Sequence, residues 1–152
     1  MVIEDRRADE SLRLRTFAKG QTVYDLSAHI WQVLVPWVTW KMKDEPLAPG
    51  LIGYGRLAEE LGREKGEGRL LSRPLDAIRD LCRANGIPAL SIVVVNRETK
   101  KAGKNATVSI HDSFDKEVAA VLSHDWHLYR VPTVDQLRAA HEAGSKHSKE
   151  RT

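Results

Sequence analysis

One cysteine, Cys82, is all the thiol chemistry this 152-residue chain carries. A lone thiol makes neither an internal disulfide nor a multi-thiolate zinc site, and both absences fit a reducing, cytoplasmic setting. Long apolar runs are missing too. No stretch approaches the roughly 18 residues of a membrane span, and Met1 to Arg15 is densely charged where a secretory signal needs an apolar core. The expectation is a cytoplasmic protein with no membrane contact. There is no internal repeat and no low-complexity tract. The glycines between Gly62 and Gly68 lack the Gly-Lys-Ser/Thr ending of a nucleotide-binding loop, so they read as turn residues and no cofactor is expected.

What is present is an ordinary globular composition, 41% hydrophobic and 30% charged. A chain of this length buries about two-thirds of its unfolded surface, enough for one core. The net charge is only +3, but it is unevenly placed. From Tyr54 to Lys104 there are eleven Lys or Arg against seven Asp or Glu, a net of +4, which leaves the remainder at −1. A local basic excess is what a polyanion partner requires.

Residues 1–20 show no sustained period and read as a flexible arm. Residues 21–50 hold a tryptophan-rich helix and a linker. Val23, Leu26, Ile30, Val33, Trp37 and Trp40 follow a 3-4-3-4-3 spacing on one helical face, widened by Trp31, Leu34, Val35 and Val38. Pro36 predicts a kink or restart. The face serves either as core or as a surface shared with a protein partner or a second copy, with Trp31, Trp37 and Trp40 as its contacts. Pro46, Pro49 and Gly50 mark the clearest boundary in the chain.

Residues 51–110 carry the densest pattern. Leu51 to Gly53 reads as a short extended piece, Tyr54 to Leu61 as a short helix ended by Gly62, and Arg69 to Asn85 as a second helix closed by Asn85-Gly86. Pro74 implies a break near the start of that helix. Leu90 to Asn96 is a β-branched run that predicts a strand, and Ala106 to Ile110 could return as its hairpin partner around a Lys- and Gly-rich tip. Helices follow at Phe114 to Leu122 and at Val134 to His141 within residues 111–143, and residues 144–152 read as a frayed tail. The fold class expected is α+β: a winged helix-turn-helix with a small β-hairpin wing and flanking helices.

This order has a steric logic, because a major groove about 12 Å wide admits one helix while an adjacent basic hairpin reaches phosphates beyond it. Arg69 and Arg73 stand one turn apart at the second helix, and Arg97, Lys100, Lys101 and Lys104 line the wing against Glu98 alone. The expected partner is duplex DNA; RNA stays open as another polyanion.

Three segments carry a family resemblance: Gly53-Tyr54-Gly55-Arg56-Leu57-Ala58, Arg69-Leu70-Leu71-Ser72 and Ile87-Pro88-Ala89-Leu90-Ser91-Ile92-Val93. In order and spacing they resemble the DNA-binding domain of alkylguanine-DNA alkyltransferases and of the non-catalytic alkyltransferase-like proteins. The resemblance covers about a third of the chain and implies that Tyr54 lies against the DNA backbone and that Arg69 fills the space of an extruded base. After Pro88, however, Ala89 and Leu90 stand where that family has its reactive cysteine and activating histidine, and Ser91 replaces its arginine. Alkyl transfer needs a thiolate, so no enzyme of that kind is expected. Cys82 falls on the apolar side of its helix and reads as a buried structural thiol.

His111-Asp112, His124-Asp125 and His127 form the one cluster with metal-ligand or acid-base character, which leaves a metal-dependent hydrolase as a rival. Their separation matches no helical or strand register, and the simpler reading is a set of helix-end residues making local hydrogen bonds. No metal is expected. His29 reads as a packed histidine, and His141 and His147 as solvated. The other rival is a protein-interaction module, such as a toxin, antitoxin or phage-defence component, working through the tryptophan-rich helix.

Overall fold

The structure, a computed structural model, describes residues 10–12, 14, 22–99 and 113–150, the last five by backbone alone. Among them are five α-helices and one two-stranded parallel sheet, a mostly helical α+β arrangement. The long helix α1 (Val23–Thr39) is central, since Ile30, Leu34 and Val38 are fully buried and Trp31 and Trp37 nearly so. Thr22 caps it by accepting from Asp25 N, and Asp25 complements the positive end of the helix.

Of the two outcomes expected at Pro36, a kink or a restart, the restart does not occur, and α1 runs through the proline. Proline removes the donor that would serve the carbonyl of Gln32, but both residues lie on the exposed face, where water can satisfy that carbonyl. The buried tryptophans are also satisfied: Trp37 Nε1 donates to Leu51 O at 3.1 Å and Trp126 Nε1 to Val121 O at 2.8 Å.

Strand β1 (Ile52–Gly53) leads directly into helix α2 (Tyr54–Glu60). A 3₁₀ turn, Lys65–Leu71, then feeds helix α3 (Ser72–Ala84). Pro74 sits in the first turn of α3, where its missing donor costs nothing, and α3 ends at Asn85 with Gly86 at φ 66°. Ser27 Oγ of α1 donates to Pro74 O at 2.8 Å, tying the start of α3 to the central helix.

The β-branched run departs from expectation. Leu90–Val93 is a 3₁₀ turn, and only Val94–Val95 forms a strand, β2. Its partner is β1, in parallel, with Ile52 opposite Val94 and Gly53 opposite Val95. A parallel pair needs a crossover, here supplied by α2 and α3, and its strands are buried on both faces. That explains why Ile92 to Val95 are all apolar without alternation. The expected return strand, Ala106 to Ile110, lies outside the described residues.

Helices α4 (Phe114–Ser123) and α5 (Val134–Glu150) complete the core through Val121 and Leu137. α5 continues nine residues past His141, through the expected tail. It does so because Gly144 lets it press onto α3: a Cβ there would fall 2.7 Å from the Asp80 carboxylate. His141, expected in solvent, is tucked into the same seam, its Nδ1 3.3 Å from Asp80 Oδ2 and its ring edge-on to Tyr24 at 6.0 Å. No helix among the described residues is long and apolar enough to cross a membrane.

Candidate nucleic-acid interface

The expected cations separate into two groups once their partners are placed. Arg56 pairs with Glu60 at 2.9 Å and lies over the Trp37 ring, Arg63 pairs with Glu67 at 3.5 Å, and Arg79 pairs with Asp76 and Asp80. Their charge is spent inside the protein. Arg69 and Arg73 are exposed and have no ionic or hydrogen-bond partner among the described residues. They stand at the junction of the 3₁₀ turn and α3, four residues apart and so on neighbouring turns.

That junction is held firmly. Gly68 and Leu71, on either side of Arg69-Leu70, are both buried. The backbone of Gly68 lies so close to α2 that a Cβ would come within 2.7 Å of Tyr54 C and 2.8 Å of Tyr54 O. The exposed pair Arg69-Leu70 is therefore a short protrusion anchored at both ends. Tyr54 itself is half-buried and packs against the core.

Arg97 does not fit the role expected of it as a free wing cation. Its Nη2 donates to Glu45 O and its Nη1 lies 3.7 Å from Asp44 Oδ1. Asp44 is buried, with Oδ2 accepting from Gly53 N at 2.9 Å, and a buried carboxylate needs a compensating charge. Arg97 thus ties the 44–45 turn to the chain just after β2, while Asp44 ties the same turn to β1. Asn96 Oδ1 accepts from Glu98 N and Thr99 N, which makes a side-chain-closed turn over 96–99. Lys100, Lys101 and Lys104 lie outside the described residues.

The tryptophans expected to meet a partner divide sharply. Trp31 and Trp37 belong to the core, and Trp40 alone of the three is exposed. A groove of about 420 Å³ that the sequence reading did not foresee is lined by Trp31, Leu81 and Ile87 together with Leu128, Tyr129 and Val131. Large apolar side chains crowded between two helices without helical spacing were the available signal.

The histidine cluster is local where it is described. His124 Nε2 lies 2.7 Å from Tyr129 OH with the two rings stacked, and Asp125 Oδ1 accepts from His127 N at the start of a 3₁₀ turn. No group of three metal-binding side chains occurs among the described residues; His111 and Asp112 lie outside them. His29 is half-buried, and burial, then the nearby Arg63, holds its pKa below the usual value. Burial pushes the Cys82 thiol up to about 12, which leaves it protonated and a poor nucleophile at neutral pH.

No family model matches the chain, and neither a curated protein nor a solved structure matches it.

Proposed function

We propose that this chain is a non-catalytic DNA-binding protein of winged helix-turn-helix type, in the manner of the alkyltransferase-like proteins that its 53–58, 69–72 and 87–93 segments resemble. It grips duplex phosphates with Arg69 and Arg73 at the start of α3 and with Lys100, Lys101 and Lys104 in the segment that Arg97 anchors. Tyr54 stands beside Arg69 through the contact of α2 with the 3₁₀ turn. The observation that carries the reading is the pair of exposed arginines on a tightly held junction, without an ionic partner among the described residues, where Arg56, Arg63 and Arg79 are paired with carboxylates; Arg83, toward the far end of α3, is exposed and unpaired in the same way. Unpaired cations on a rigid element release counterions on contact with phosphates at little ordering cost.

A mobility-shift titration over a range of salt tests it. If Arg69, Arg73 and two lysines each neutralise one phosphate, log affinity falls with log salt at a slope of about −3.6, and the double substitution Arg69→Ala, Arg73→Ala halves the slope to about −1.8. A slope that the double substitution leaves unchanged, or no binding in about 50 mM salt, removes the reading.

A protein-interaction role is favoured by a separate observation, the exposed apolar rim of Leu128, Tyr129 and Val131. Sedimentation of the isolated chain is the measurement. Association that Leu128→Ser abolishes and Arg69→Ala leaves intact would place the working surface there.

A further inference from the structure

The turn after α1 holds one aromatic ring in solvent against the usual tendency of a tryptophan to bury. Trp40 is 76% exposed, whereas Trp31, Trp37 and Trp126 are at 4%, 2% and 1%. The exposure is not that of a loose end. Trp40 N donates to Pro36 O at 3.0 Å, Met42 N to Trp37 O at 3.0 Å, and Gly50 N to Met42 O at 2.8 Å. Between them Lys41 sits at φ 48°, a left-handed conformation that costs a lysine energy and persists only where the surroundings impose it. The turn is thus built to present this indole, followed in the chain by the exposed Lys41, Met42 and Lys43.

The charge beside it in the chain narrows the partner. The two residues that follow Lys43 are Asp44 and Glu45, which Arg97 clamps at the root of the basic segment 97–104. The turn that carries the ring is therefore tied to Arg97. Within an intact duplex every base is already stacked, and an indole gains little there. An aromatic face with ammonium groups close by in the chain suits an unpaired base and the phosphates next to it.

We propose that Trp40 is a stacking platform for an unpaired base, with Lys41 and Lys43 holding the adjacent phosphates. This rests on the DNA-binding reading and narrows it: the preferred substrate is a duplex next to a single-stranded end or gap, rather than continuous duplex. A partner protein is the less suitable occupant, because Trp40 and Met42 alone, interspersed with two lysines, offer little contiguous apolar area.

The spectroscopy is favourable because three of the four tryptophans are shielded. The emission that iodide can quench, at constant ionic strength, comes mainly from Trp40. The probes are a blunt duplex and the same duplex with a short thymidine overhang. The overhang should bind about tenfold more tightly than the blunt form and protect the iodide-quenchable emission. Trp40→Ala should erase that preference and leave blunt-duplex binding unchanged, whereas Trp40→Phe should keep part of it. Being on the surface, these substitutions should not alter the thermal midpoint.

If the overhang binds but quenchable emission is unchanged, or if the preference survives in Trp40→Ala, the stacking proposal is overturned while the duplex reading stands. Protection of Trp40 by raising the concentration of protein alone would assign the ring to self-association and equally overturn it. Failure of both DNAs to bind would remove the stacking proposal together with the reading beneath it.

Discussion

Replacing Trp126 with alanine should lower the unfolding free energy by about 4 kcal/mol, the largest single-site loss expected in this chain. The ring is 1% exposed and stands edge-on to Trp31, with centroids 5.7 Å apart and planes at 84°, and it also meets His124 at 4.8 Å. Truncation removes the transfer free energy of the indole and leaves a cavity between α1 and α4 that the surrounding helices fill only in part. Because a domain of this size has about 5–15 kcal/mol in all, the midpoint should fall by on the order of 10 °C in a thermal melt. Trp126→Phe should cost far less. It keeps most of the volume, and Val121 O, which loses the indole donor, still accepts from His124 N at 3.3 Å. Equal losses for the two substitutions would mean that the hydrogen bond, and not the packing, dominates.

Gly68→Ala should cost about 2–3 kcal/mol and weaken DNA binding as well. The atoms its Cβ would meet are all backbone: Tyr54 C at 2.7 Å, Tyr54 O at 2.8 Å and Gly55 N at 3.0 Å. No side chain can swing away, so the 3₁₀ turn must lift off α2 and carry Arg69 with it. Gly66, two residues earlier in the same turn, has nothing within 4 Å of its added Cβ. Gly66→Ala should therefore be neutral to within about 0.5 kcal/mol in chemical denaturation and bind DNA as wild type does. A neutral Gly68→Ala would show that α2 and the turn are not in the contact described, and the placement of Arg69 would fall with it.

Much of the helical layout was legible in the sequence. The 3-4 spacing of α1, the Gly62 stop after α2 and the Asn85-Gly86 stop after α3 are local features, and local hydrogen-bond closure and side-chain periodicity fix them wherever the element sits. Whether Pro36 restarts the helix depends on whether the orphaned carbonyl faces water, which sequence does not state. The run from Leu90 to Val95 misled because β-branched composition reports burial as much as strand. α5 was cut short because its last turns show little apolar pattern; what extends it is the fit of Gly144 against Asp80, two helices away in sequence.

The candidate site was legible as composition and not as geometry. Counting cations between Tyr54 and Lys104 located a basic region, but it could not tell Arg69 and Arg73 from Arg56, Arg63, Arg79 and Arg97, whose charges are met by carboxylates. In the same way, three tryptophans in one helical stretch looked alike until two were packed inside.

By itself, then, the sequence determined the helices, their order and the size of the apolar stripe each must bury, because those follow from neighbours three and four residues apart. Only the tertiary structure decided that β2 pairs with β1 across some forty residues, which arginines keep an unmatched charge and which tryptophan remains in water. Those outcomes depend on contacts between distant segments, where a buried carboxylate such as Asp44 selects its counter-charge by proximity in space, and no window along the chain records that distance.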